Sequence, residues 1–334
     1  MINLYFLFLL IFFNIILLFN FKYYSKFFKV EDKPDNVRKI HKKNIKVLGG
    51  TILLVNLILY AVFFSIFDKF YLETFFGTYQ NFLIFLLSAF SMYLIGLLDD
   101  KKNLPAINKL IFTIIIISIS LFLDRNLVTQ INLSFYENTI FLGQFSFLFT
   151  LFCYIIFINA YNMLDGINLQ VGFYSLFLFL VMLSLGLDTT FTVAILFGIV
   201  VYINFNRLNK IFLGDNGCLL LSYIIAYFLI DLFNNNKIIY SDTILILLLI
   251  PGLEVLRLSF ERIKNNKSIL NADRRHIHHI IKFHNKDLLG VLFIQSLIIT
   301  PYVISIFSKN FLPIIVGTIL AYFFIIYYFK KNEL

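Results

Sequence analysis

Long apolar runs broken by short polar islands set the pattern of this chain. The runs cover about residues 2–21, 48–67, 82–98, 104–123, 141–158, 171–187, 190–205, 219–230, 243–258, 288–307 and 311–329. A helix needs about 20 apolar residues to cross a bilayer, and a barrel strand would alternate polar and apolar positions. The runs are long and do not alternate. The pattern therefore predicts an all-α polytopic membrane protein with about eleven transmembrane helices. The run at 2–21 has no preceding Lys or Arg and no small-residue cleavage site, so it reads as a retained span. Between the spans, 126–143 has alternating character around Glu137-Asn138, the mark of a small hairpin.

Composition agrees with this pattern. The chain is 60% hydrophobic and 14% charged, with a mean hydropathy of +0.86, whereas soluble domains carry about a quarter charged residues. Trp is absent, so Tyr supplies any interfacial aromatic belt. Cys153 and Cys218 fall within or beside apolar runs and read as small buried residues. No repeat, linker or second domain is visible, so residues 1–334 read as a single membrane domain.

The net charge is +9, which in such a chain points to anionic lipids and topology and not to nucleic acid. With the N-terminus outside, 24 of the 28 Lys and Arg residues fall on the inner side; Lys69, Arg125, Lys237 and Lys309 are left outside. That asymmetry predicts an external N-terminus and a cytoplasmic C-terminus. It also puts every polar island on the inner face: 96–100, 159–168, 212–217 and 273–279, together with the basic loop holding His41.

Polar groups left unpaired in hydrocarbon carry a penalty of several kcal/mol, so each island asks for a ligand or a surface. Asp99-Asp100 closes a span: either a solvated helix end or a carboxylate pair that favours a divalent cation. Asp215 lies between Gly214 and Gly217 just before a span. It is either a helix cap or a Mg²⁺ ligand beside a phosphate seat. His276, His278 and His279 follow Asp273-Arg274-Arg275 in a chain with five histidines. Phosphate or nucleotide binding suits these donors better than zinc, whose site no Cys or carboxylate nearby completes; a solvated basic loop is the bland alternative. Glu254, inside a span closed by Arg257, is either functional or half of a salt bridge.

In combination these residues resemble the polyprenyl-phosphate N-acetylhexosamine-1-phosphate transferases, glycosyltransferase 4, of the WecA, TagO and MraY type. The resemblance rests on PDNVRKIH (34–41) with Gly49-Gly50, GLLDD (96–100) with Asn108-Lys109-Leu110, NAYNMLDGIN (159–168), FLGDNG (212–217) and ADRRHIHH (272–279). These run in family order over about 34–283. The His-x-His-His form is similar to the WecA/TagO branch, which uses UDP-N-acetylhexosamines; the MraY branch has an uninterrupted triplet. The chain departs from the family at Asn44, Lys46, Val47, Asn168, Leu169 (a Gly in the family), Cys218 and Glu254 (an Asp in the family).

The resemblance implies transfer of a sugar 1-phosphate from a UDP-sugar to undecaprenyl phosphate with release of UMP, at the cytoplasmic face of the bacterial inner membrane. It implies Mg²⁺, with Mn²⁺ the alternative. Asp215 and Asn162 are then expected at the metal, and Asp99, Asp100 and Asp165 as catalytic residues. Arg38, His41, Lys109, Asn159, Asn162, Arg274, His276, His278 and His279 are expected at the substrates. Its oligomeric state, a homodimer included, stays open. Competing readings are an MraY-like phospho-MurNAc-pentapeptide transferase and, in another class, a transporter of an anionic solute.

Overall fold

The structure is a computed structural model that describes residues 3–20, 23, 30–32, 44–266, 276–281 and 287–332. Arg38, His41 and Arg274 lie outside the described residues, as do the side chains of His278 and His279. In chain order the elements are α1 (Leu4–Phe19), β1 (Glu31–Asp32), β2 (Ile45–Val47), α2 (Gly49–Phe67), α3 (Lys69–Phe76), α4 (Tyr79–Lys102) and α5 (Ala106–Asp124). They continue as β3 (Gln130–Leu133), β4 (Tyr136–Phe141), α6 (Ser146–Leu164), α7 (Gln170–Ser184), α8 (Thr189–Arg207) and β5 (Ile211–Phe212). The last are α9 (Gly214–Asn234), α10 (Ser241–Lys264), α11 (Ile277–Ile280), α12 (Asp287–Ile306) and α13 (Leu312–Asn332).

Among the described residues, nine helices are long and apolar enough to span a membrane, and Leu4–Phe19 and Gln170–Ser184 are shorter apolar helices. Each of the eleven expected runs corresponds to one of them. The differences lie at the ends. The run at 219–230 is the apolar stretch of a 21-residue helix whose first turn is the polar Gly-Asp-Asn-Gly motif. Likewise α4 continues past residue 98, so Asp99 and Asp100 stand in its last two turns. Hydropathy misses such turns because helical hydrogen bonding extends beyond the apolar stretch. The expected hairpin is β3–β4, paired Gln130↔Phe141 and Ile131↔Ile140.

The chain divides into two compact units, Met1–Arg125 with Leu178–Phe228, and Asn126–Phe177 with Leu229–Leu334. The first unit has an aromatic core. Tyr60 meets Phe6 edge-on at 6.0 Å and Phe191 edge-on at 5.2 Å between ring centres, the geometry that ring quadrupoles favour. Helix α1 is fixed on α2 by a buried amide pair: Asn14 Nδ2 donates to Asn56 Oδ1 at 2.7 Å and Asn56 Nδ2 returns a bond at 3.2 Å. Two amides satisfying each other remove the penalty either would bear alone in hydrocarbon. A small sheet completes the unit, with β1 antiparallel to β2 and β2 parallel to β5 through Lys46↔Ile211 and Val47↔Phe212. It brings residue 47 beside residue 212, and with them the starts of α2 and α9.

In the second unit the hairpin is tied to the start of α10. Asn132 N donates to Ser241 Oγ at 3.0 Å, and Ser134 N and Oγ both donate to Asp242 Oδ2, at 3.0 and 2.6 Å. Pro251 lies inside α10, where it cannot bond the carbonyl one turn back. That carbonyl, Leu247 O, accepts instead from the buried Tyr174 hydroxyl at 3.1 Å.

Candidate active site

Three motif segments meet in the first unit at backbone distance, and glycine makes the approach available. A Cβ on Gly96 would lie 2.3 Å from Asp215 O and 2.4 Å from Asn216 Cα; one on Gly50 would lie 2.0 Å from Asn216 Oδ1 and 2.4 Å from Gly217 N. Any side chain at either position would force α2 or α4 away from the start of α9. Gly214, at φ +77°, makes the turn into α9, a conformation glycine takes without penalty.

This packing places Asp100 against the first turn of α9. Its Oδ1 accepts from Asp215 N at 2.9 Å and its Oδ2 from Asn216 N at 3.0 Å. A helix leaves its first N–H groups without intrahelical partners and carries a positive dipole end there. Asp100 therefore caps α9 from a different helix, and both its oxygens serve that role.

The neighbouring carboxylates share the Lys109 ammonium. Lys109 Nζ lies 2.7 Å from Asp99 Oδ2 and 3.1 Å from Asp215 Oδ1. Asp99 Oδ1 in turn accepts from Leu104 N at 2.7 Å, fixing the turn that leads into α5 and so the position of Lys109. With all groups ionised, Asp99, Asp100 and Asp215 against Lys109 leave a formal charge of −2 within hydrogen-bonding reach. Such a cluster, with side chains of Asp99 and Lys109 mostly buried, attracts further positive charge.

No group of three or more His, Cys, Asp or Glu side chains is arranged to hold a metal among the described residues. The donor set nevertheless fits Mg²⁺, which takes one or two carboxylates together with waters and substrate phosphates and not a closed protein cage. Asp99 and Asp215 are the carboxylates that would suit that role. Their common partner is an ammonium on a flexible stem, whereas Asp100 is committed to backbone.

In the second unit, Asn159 and Asn162 lie in the last two turns of α6, and Asp165 is the residue that ends it. Asn159 Nδ2 donates to Ile155 O at 2.7 Å. Asp165 N donates to Asn162 O at 3.2 Å. Beyond them Leu169 holds φ +72°, where the resemblance has glycine. A left-handed non-glycine residue is strained by about 1–2 kcal/mol, while a fully buried leucine side chain contributes about 1.5–3 kcal/mol. Leu169 is 8% exposed, so burial holds it against the strain. The usual order of substitutions should therefore invert. Leu169→Ala keeps the strain and loses the side chain, at about 2–5 kcal/mol; Leu169→Gly relieves the strain and should melt higher than Leu169→Ala. Thermal unfolding in detergent decides this, and an Ala variant at least as stable as the Gly variant would refute it.

His276 precedes α11, with Nδ1 3.9 Å from Glu254 Oε1. The structure thus brings Asp99, Asp100, Lys109 and Asp215 together in one unit, and Asn159, Asn162 and Asp165 together in the other. Sequence reasoning nominated Lys109 and the aspartates but missed that Gly50 and Gly96 set the helix spacing. The only available signal was glycine inside otherwise apolar runs.

Residues 82–233 match the model of glycosyl transferase family 4. The chain is 25% identical over 318 residues to the undecaprenyl-phosphate alpha-N-acetylglucosaminyl 1-phosphate transferase of Salmonella typhi, covering 90% of this chain and 83% of that protein. It is 26% identical over 262 residues to the protein of the same name from Escherichia coli K12, covering 75% and 68%. It is also 26% identical over 271 residues to a probable undecaprenyl-phosphate N-acetylglucosaminyl 1-phosphate transferase of Bacillus subtilis, covering 74% and 68%. The likeness to glycosyl transferase family 4 thus lies in residues 82–233, and the relatives extend it over most of the chain. The stretch that matches the family 4 model contains GLLDD, NAYNMLDGIN and FLGDNG, so the Asp99, Asp100, Lys109 and Asp215 cluster falls wholly inside it.

Proposed function

We propose that this chain transfers an N-acetylhexosamine 1-phosphate from a UDP-sugar to undecaprenyl phosphate and releases UMP, at the cytoplasmic face of the bacterial inner membrane. The observation that carries the reading is the cluster in which Lys109 bridges Asp99 and Asp215 while Asp100 holds the first turn of α9. The names of the relatives make UDP-N-acetylglucosamine the first donor to try. The concentration of Lys and Arg in alternate loops supports the orientation.

The reaction exchanges one phosphoanhydride for another, so its obstacle is electrostatic: an anionic lipid phosphate must approach an anionic diphosphate. Positioning and charge neutralisation then account for most of the rate. Asp215 and Asp99 would hold Mg²⁺, which would supply divalent positive charge at the phosphates. Lys109, beside both carboxylates, would neutralise phosphate charge. Asp100 acts through backbone by keeping the α9 amide groups in place. A phosphate monoester has a second pKa near 6, so the lipid phosphate arrives mostly dianionic and needs no base to take its proton; Asp99 would act through Lys109 and the cation it would help to hold. Asn159, Asn162, Asp165 and the turn bearing His276, His278 and His279 are assigned to the nucleotide-sugar, with Asn162 also a candidate metal ligand. Arg38, His41 and Arg274 are assigned to phosphates.

The test is UMP formation by purified protein given undecaprenyl phosphate and a panel of UDP-sugars. UMP should form only when both substrates are present, fall to background in EDTA, and return with Mg²⁺. Folded protein that forms no UMP from any UDP-sugar overturns the reading.

A further inference from the structure

Glu254 lies in α10 within the second unit, is 2% exposed, and has more partners than an ion pair requires. Arg257, one turn on, donates through Nη2 to Oε1 at 2.7 Å and through Nε to Oε2 at 3.2 Å. That pairing alone neutralises the buried charge. Two further donors come from other elements. The Tyr322 hydroxyl of α13 donates to Oε2, and Ile277 N, the first backbone amide of α11, donates to Oε1 at 2.8 Å. Arg257 Nη1 is held in turn by Glu261 Oε1 at 2.9 Å, and Lys330 Nζ bonds the same oxygen at 2.8 Å.

We propose that Glu254 is a positioning residue that fixes the histidine turn on α10 for donor binding, which rests on the transferase reading above. Residues 276–280 carry three of the chain's five histidines, and α11 is only four residues long. So short a helix has almost no stability of its own, and its placement comes from contacts outside it. A buried carboxylate is a strong anchor for one, because losing the Ile277 donor would leave a charged oxygen under-solvated in a poorly hydrated interior. Arg257 and Tyr322 hold the carboxylate from two helices, so the turn inherits the rigidity of α10 and α13.

The experiment compares wild type with Glu254→Gln, Glu254→Asp and Tyr322→Phe in the full-length protein. In hydrogen exchange without substrates, the 276–281 segment of Glu254→Gln should exchange about tenfold faster, as expected for loss of a charge-assisted bond, with α6 unchanged. In kinetics, its KM for the UDP-sugar should rise about tenfold while kcat and the KM for undecaprenyl phosphate stay within about twofold. Tyr322→Phe should move both readouts the same way by less, and Glu254→Asp should restore most of the donor KM. Unchanged exchange at 276–281, or exchange raised equally throughout the second unit, overturns the proposal. So does a fall in kcat with both KM values unmoved. A wild-type chain that makes no UMP yet shows the exchange difference refutes the transferase reading and leaves the anchoring of the turn standing.

Discussion

Asp215→Asn should lower UMP release at least about 10³-fold, because it removes negative charge where the proposed cation and the transferring phosphates meet. The protein should stay folded, for a specific reason. The first turn of α9 is held by Asp215 N and Asn216 N on Asp100 and by close approach at Gly50 and Gly96, and none of these contacts uses the Asp215 side chain. An amide of nearly the same shape still accepts from Lys109. UMP release and detergent melting of one preparation check this together. A variant within about tenfold of wild-type turnover would remove Asp215 from the metal role, since one misplaced electrostatic group at such a site typically changes rate by 10²-fold or more.

Lys109→Met should damage both stability and turnover. The ammonium is the common partner of Asp99 and Asp215. Deleting it leaves two mostly buried carboxylates facing each other, and breaking a buried ion pair by removing one partner costs about 3–5 kcal/mol. Residual exposure of Lys109 and Asp215, 21% and 27%, brings the expected loss to about 2–3 kcal/mol. Turnover should fall at least about 10²-fold. Adding Asp99→Asn to Lys109→Met should recover much of the melting temperature, because it removes the repulsion, while turnover stays low. Added Mg²⁺ should raise the melting temperature of Lys109→Met more than that of wild type, a cation replacing the lost one. If the single variant melts with wild type, the bridge is not holding the two carboxylates together.

The apolar runs, the hairpin and the candidate chemistry were legible in the sequence because each depends on local composition. A residue's transfer free energy into hydrocarbon belongs to that residue, so eleven spans can be read from one chain. The polar islands stand out for the same reason, and Asp99, Asp100, Lys109 and Asp215 could be nominated from them. Element ends were less legible. The α9 helix begins at Gly214 and not near residue 219, because capping by Asp100 stabilises a polar first turn that hydropathy scores as loop. Short structures such as α3 and the β1–β2–β5 sheet left no periodic trace.

Local composition alone fixed the membrane-spanning class, the number of apolar helices and the identity of the charged residues near their ends. Tertiary structure alone decided how those residues divide their work. Asp100 holds backbone, Lys109 bridges two carboxylates, Leu169 keeps a left-handed bend through its buried side chain, and Glu254 reaches a backbone amide 23 positions away. The physical reason is range. Hydrophobic transfer acts residue by residue, whereas a hydrogen bond between residues 100 and 216 exists only once packing at Gly50 and Gly96 has brought their helices into contact.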